Sequence, residues 1–135
     1  INKKENVIRY SEKQNNIHFH EKVDYSKLIY FTKEADVGIH MIENKCLNNY
    51  YCLPNKIFEY LYSNIAVLTS NFPDMEEIIK KYNAGWTCAP KKEDLINLLR
   101  TITKDDLIKK TQYSFNETWE NDYSDQINYY SKLIQ

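Results

Sequence analysis

The stretch Leu53-Pro54-Asn55-Lys56-Ile57-Phe58-Glu59-Tyr60-Leu61 holds the residue types and spacing best able to do chemistry. Pro54 suits the first helical position, because its missing N–H would have no helical partner there. Leu53, just before it, has no side-chain oxygen to cap a helix. The N–H groups of Asn55, Lys56 and Ile57 are then left without a local partner. Unpaired N–H groups at the positive end of a helix dipole favour an anion such as phosphate. Lys56 adds a full positive charge in the first turn, where the dipole alone disfavours one, and an anion seated there would account for it. Asn55 and Glu59 are four apart and share a face, while Ile57, Phe58 and Leu61 form the buried side. A carboxylate one turn behind an anion can accept hydrogen bonds from two adjacent hydroxyls, as a ribose offers. The plainer reading is an amphipathic helix with Glu59 paired to Lys56 at its surface.

Other chemistry-bearing residues are less telling. His18 and His20 stand two apart and would share one face of a strand, as metal ligands can, but no third ligand lies at a supporting spacing. His40 falls at the end of a predicted strand, where ligand-binding groups gather in parallel sheets. Asp74, Glu76 and Glu77 begin a predicted helix, where acids complement the dipole. Trp86 and Trp119 read as core residues. Cys46, Cys52 and Cys88 form neither a C-x-x-C nor a zinc pattern, and read as reduced thiols of a cytosolic protein.

The elements that must position these residues alternate along the chain. Ile17-His18-Phe19-His20 alternates like a short strand. Asp24 or Ser26 can cap a helix carrying Leu28, Ile29 and Phe31, with Ala35 closing its apolar face. A second strand follows at Asp36-Val37-Gly38-Ile39-His40-Met41, then a polar loop from Glu43 to Cys52. The helix opened by Pro54 runs to about Ser63. Ile65-Ala66-Val67-Leu68-Thr69-Ser70 is an apolar run of buried-strand type. A helix from Pro73 carries Met75, Ile78, Ile79 and Tyr82 at helical spacing, with Gly85 as its stop. Trp86-Thr87-Cys88-Ala89 is a short strand. A helix with Leu95, Ile96, Leu98, Leu99 and Ile102 follows Pro90, and the remainder to Gln135 reads as helical. There Leu107, Ile108, Trp119, Tyr123, Ile127, Tyr130 and Leu133 can form an apolar stripe. This order predicts an α/β chain: a Rossmann-like parallel sheet flanked by helices, with right-handed crossovers and ligands beyond the carboxyl ends of its strands. Residues 1–103 form that unit and residues 104–135 its helical tail.

Composition narrows the function classes. The 135 residues carry 18 Lys and Arg against 19 Asp and Glu, a formal charge of -1, which lacks the basic excess of a nucleic-acid module. Only 2 Gly are present, too few for a glycine-rich dinucleotide or P-loop phosphate cradle. No run of 18 apolar residues and no signal segment is visible. The chain begins at Ile1, and we read it as a piece of a larger protein.

Taken together, residues 16–19, 35–39, 53–61, 65–70 and 73–79, then Gly85, resemble the carboxyl-terminal, donor-binding domain of bacterial group 1 glycosyltransferases. These are retaining enzymes of the two-domain B-type fold that build capsule, O-antigen or other surface polysaccharides. The resemblance runs from about residue 15 to the end, and the Leu-Pro-Asn-Lys…Glu-Tyr-Leu stretch is its most specific part. It implies a UDP- or GDP-linked sugar donor, with the diphosphate at Pro54, Asn55, Lys56 and Ile57 and the ribose on Glu59. The nucleobase would lie near Val23, in the loop between His20 and Tyr25. Donor sugar and acceptor would meet near Asn49, facing a second domain. Such enzymes usually need no bound metal or other cofactor, because helix dipole and basic side chains stabilise the diphosphate leaving group; Lys56 is the candidate catalytic group. The resemblance also implies a glycan or lipid-linked acceptor and a cytoplasmic site of action, at the inner membrane face if peripherally attached.

The chain departs from its relatives' pattern at three points. Tyr51 stands where many carry a second Glu, eight positions before Glu59, which leaves Asn49 or backbone N–H groups to recognise the sugar. His20 stands where they have Gly. The two strands and helix that precede residue 17 in a complete domain, with an Arg/Lys pair on the diphosphate, are not in the sequence. On that ground the chain alone is expected to be inactive, and residues 17–20 to be displaced, re-paired or exchanged with a second copy. A nucleotide-sugar epimerase on the same fold and a non-catalytic binding or interaction module remain as rival readings.

Overall fold

The structure is a computed structural model that describes residues 14–117 together with 124, 131 and 132. The elements run α1 (Tyr25–Thr32), β1 (Val37–His40), α2 (Leu47–Tyr50), α3 (Asn55–Tyr62), β2 (Ala66–Ser70), α4 (Pro73–Tyr82), β3 (Gly85–Cys88), α5 (Lys92–Thr101) and α6 (Lys104–Lys110). The three strands form one parallel sheet in the order β1-β2-β3, with Val37 opposite Ala66 and Val67 opposite Gly85. This is the Rossmann-like α/β arrangement the alternating pattern predicts.

The central strand explains the fold. All five residues of β2 are buried, because it has a neighbour on each edge and cover on both faces. Ile57 and Leu61 of α3 and Met75, Ile78 and Ile79 of α4 pack with Val67 into the core. Their spacings of three and four put them on one stripe of each helix. Helix α3 lies against β1 through Tyr60. A Cβ added to Gly38 would stand 2.4 Å from the Tyr60 ring, so this strand position has room for no side chain.

Several local expectations need correction. Residues 17–20 hold no strand; alternation gives a strand a face but supplies no partner, and the described sheet offers them none. Asp24 caps α1 as expected, accepting from the Ser26 N–H at 2.9 Å, but Phe31 and Ala35 are exposed rather than closing an apolar face. The polar loop contains a single helical turn, α2. The αL stop of α4 is Asn83 (φ 50°), not Gly85. Gly85 serves another purpose, since a Cβ there would meet the Val67 carbonyl oxygen at 1.8 Å.

The tail is not continuously helical. Helix α6 starts in a capping box, with the Thr103 hydroxyl accepting from the Asp106 N–H and the Asp106 carboxylate accepting from the Thr103 N–H. After it, residues 112–117 leave helical form and cross the carboxyl-terminal ends of α3 and α4 as a strap. Phe115 is buried among the rings of Phe58, Tyr62 and Tyr82. The Tyr113 hydroxyl donates to the Ile65 carbonyl at 2.8 Å, and Glu117 meets Lys81 and Tyr82. Side chains two apart both reaching inward is extended-chain geometry, which a helix cannot supply. Trp119, Tyr123, Ile127, Tyr130 and Leu133 lie outside the described residues. Leu107 is half-buried and Ile108 exposed.

Burial pushes the Tyr113 phenol up to about 12. The fold therefore favours the neutral phenol: that stability is fully present below the ordinary phenol value of about 10 and is lost as pH rises through the folded value. Tyr113→Phe should cost about 1 kcal/mol at pH 8, from the lost hydrogen bond to Ile65. Urea denaturation from pH 8 to pH 12 should show the gap to wild type closing above pH 10.

Candidate functional site

The carboxyl end of the sheet is built by two buried hydroxyls. The Thr69 hydroxyl donates to the His40 carbonyl at 2.9 Å. The Ser70 hydroxyl accepts from the Ile42 N–H at 2.8 Å and donates to the Ile42 carbonyl at 3.0 Å. Chain that has left the β1–β2 ladder is thus still held by β2. The sequence showed these hydroxyls only as the polar end of an apolar run.

Helix α3 begins beside this edge. Its axis runs back along β1, since Lys56 in the first turn acts electrostatically on His40 while Tyr60, four residues on, covers Gly38. Pro54 is the N-cap rather than the first helical residue, with φ -70° and ψ 143°. The proline ring fixes φ but leaves ψ free to be extended. No side chain caps the helix. The Ile57 N–H donates to the Pro54 carbonyl at 3.0 Å, and the Ile57 side chain is fully buried. Two orphan donors remain at the helix start, the N–H groups of Asn55 and Lys56, both on exposed residues. Lys56 makes no hydrogen bond or ion pair among the described residues, so the surface Lys56–Glu59 pair of the plainer reading is not formed. Glu59 is half-buried, one turn behind.

The remaining expected residues are more dispersed. Val23 is half-buried just before α1, and α1 packs on α3. The Asn49 side-chain amide donates to the Glu43 backbone carbonyl at 3.1 Å, while the Asn49 backbone carbonyl accepts from the Cys52 thiol at 3.0 Å, which folds the loop on itself. Tyr51 is 58% exposed and meets Tyr50 edge to face. Among the described residues no three His, Cys, Asp or Glu side chains gather as a metal site, His18 and His20 included.

His40 ends β1 with its Nε2 buried and without a hydrogen-bond partner among the described residues. Burial first, and then the charge of Lys56, hold its imidazole below the ordinary histidine value. Across the same edge a groove of about 210 Å³ separates Met41, Ile42 and Glu43 from Pro90, Lys91 and Lys92. That is below the ~300 Å³ at which drug-sized ligand pockets begin, so the groove does not enclose a nucleotide sugar by itself.

The family profile of glycosyl transferases group 1 matches residues 2–121. The chain belongs to the group 1 glycosyltransferase family. No curated protein and no solved structure gives a significant match. Among the described residues of this glycosyltransferase chain, no helix is long and apolar enough to cross a membrane.

Ser70 is fully buried and makes both hydrogen bonds to Ile42. Ser70→Ala leaves the part-buried N–H and carbonyl of Ile42 in this glycosyltransferase chain without their hydroxyl partner and should cost about 1–3 kcal/mol. The midpoint of guanidinium denaturation measures this, and an unchanged midpoint would show that water replaces the hydroxyl.

Proposed function

We propose that this chain is the donor-binding part of an enzyme that moves a sugar from a UDP- or GDP-linked donor to a glycan or lipid-linked acceptor in surface polysaccharide synthesis. The observation that carries this reading is the uncapped start of α3, with Lys56 unpaired beside it, at the carboxyl edge of a parallel sheet in a group 1 glycosyltransferase. The donor diphosphate accepts hydrogen bonds from the Asn55 and Lys56 N–H groups and meets the Lys56 ammonium. When the bond between the sugar and the diphosphate breaks, negative charge grows on the phosphate oxygen, and a fixed dipole and ammonium stabilise it most at that moment. Glu59 takes the ribose hydroxyls. Val23 borders the base, and Asn49 approaches the sugar once its amide releases the Glu43 carbonyl. The acceptor enters from a second domain, in the cytoplasm or at the inner face of the membrane.

Calorimetric titration of the full protein with UDP, GDP and inorganic pyrophosphate separates the roles. Lys56→Ala should weaken all three by roughly 10- to 100-fold, the range for a lost hydrogen bond to a charged group. Glu59→Ala should weaken the nucleotides and spare pyrophosphate. Nucleotide affinity unchanged in both variants would overturn the reading.

A further inference from the structure

Strand alternation puts His40 on the face of β1 that α3 covers. Gly38 faces α3, since its Cβ direction ends on the Tyr60 ring. His40, two residues on, faces the same way and lies under the first turn of that helix. Its backbone is fixed by the Thr69 hydroxyl on its carbonyl, so the side chain sits on a rigid strand end rather than on a loop. Among the described residues, Nε2 of His40 is the one buried side-chain nitrogen or oxygen without a hydrogen-bond partner. A buried polar atom left unpaired carries a desolvation penalty, which favours a working state in which something pairs it.

We propose that His40 is a further donor-site residue: its Nε2 donates a hydrogen bond to a diphosphate oxygen of the nucleotide sugar, and the imidazole takes up a proton as the donor binds. The inference rests on the donor-site reading above. Nε2 is out of reach of solvent in this conformation, so the ring must turn about χ1 toward Lys56 while the strand stays in place. The electrostatics set the direction. Burial first, and then the charge of Lys56 on α3, hold the imidazole below the ordinary histidine value. Helix α3 also carries Glu59 and the phenol of Tyr60, and β2 faces His40 with the uncharged Thr69. Two phosphate charges beside Lys56 reverse the field on the ring. The bound form then holds a proton that the free form lacks, so affinity rises as pH falls between the free and bound titration points.

The test is the affinity of the full protein for a UDP-hexose and a GDP-hexose, neither of which titrates near neutral pH, from pH 8 to pH 5.5. In the wild type, affinity should rise toward low pH by up to tenfold per pH unit, the limit for one proton. His40→Phe should bind about tenfold more weakly at pH 6 and lose the dependence. His40→Gln, which keeps a donor but cannot titrate, should recover part of the affinity with a flat profile, and it decides the matter if His40→Phe does not fold. A flat wild-type profile, or the wild-type slope retained in His40→Gln, overturns the inference and leaves the donor site standing. No binding of either sugar nucleotide at any pH overturns the donor-site reading and this inference with it.

Discussion

The site depends on how a short edge strand is finished. Strand β1 is four residues long and, among the described residues, pairs on one side only, so it has few ladder hydrogen bonds there to hold its carboxyl end. Thr69 and Ser70 supply what the ladder lacks, with three hydroxyl hydrogen bonds to His40 and Ile42. Hydroxyls can do this inside a core because each one is satisfied; unsatisfied, they would destabilise it. Lys56, Glu59 and His40 stand on this edge or on the helix that returns from it, whereas Val23 and Asn49 lie outside both.

Helix α3 joins two opposite requirements. Ile57 and Leu61 are sealed into the core, which fixes the helix to the sheet. Its first turn is left polar, uncapped and exposed. A capping side chain at position 54 would stabilise the helix by about 1 kcal/mol. It would also occupy the donors that an anion needs. The core-facing side of α3 gives rigidity, while its open end leaves the Asn55 and Lys56 N–H groups uncapped.

The other end of α3 is held by the strap. Phe115 closes over Phe58, Tyr62 and Tyr82, and Tyr113 reaches the carbonyl of Ile65 just before β2. These contacts also cover α4 at Tyr82, so α3, α4 and β2 are clamped at the end away from the candidate site. Movement of α3 against the sheet is restrained there.

Much of this was legible in the residues. A short apolar run bounded by polar residues reads as a covered strand, and β2 is one. Met75, Ile78 and Ile79 fall on one helical stripe whatever surrounds them. The Pro-Asn-Lys start and Glu59 state their chemistry by residue type, because a missing cap and a misplaced positive charge are local facts. Neighbourhood was not legible, because it is a property of two segments at once. Alternation in residues 17–20 gave a strand with no partner to pair. Gly85 read as a helix stop until the Val67 carbonyl stood in the place of its Cβ. Tyr113 and Phe115 fell in a tail that read as helical until the rings and carbonyl they reach were in place. His40 is the sharpest case. The sequence determined that a histidine ends a strand; only packing decided that its Nε2 is buried and unpaired beside Lys56, because burial and electric field depend on what the chain brings back across the sheet.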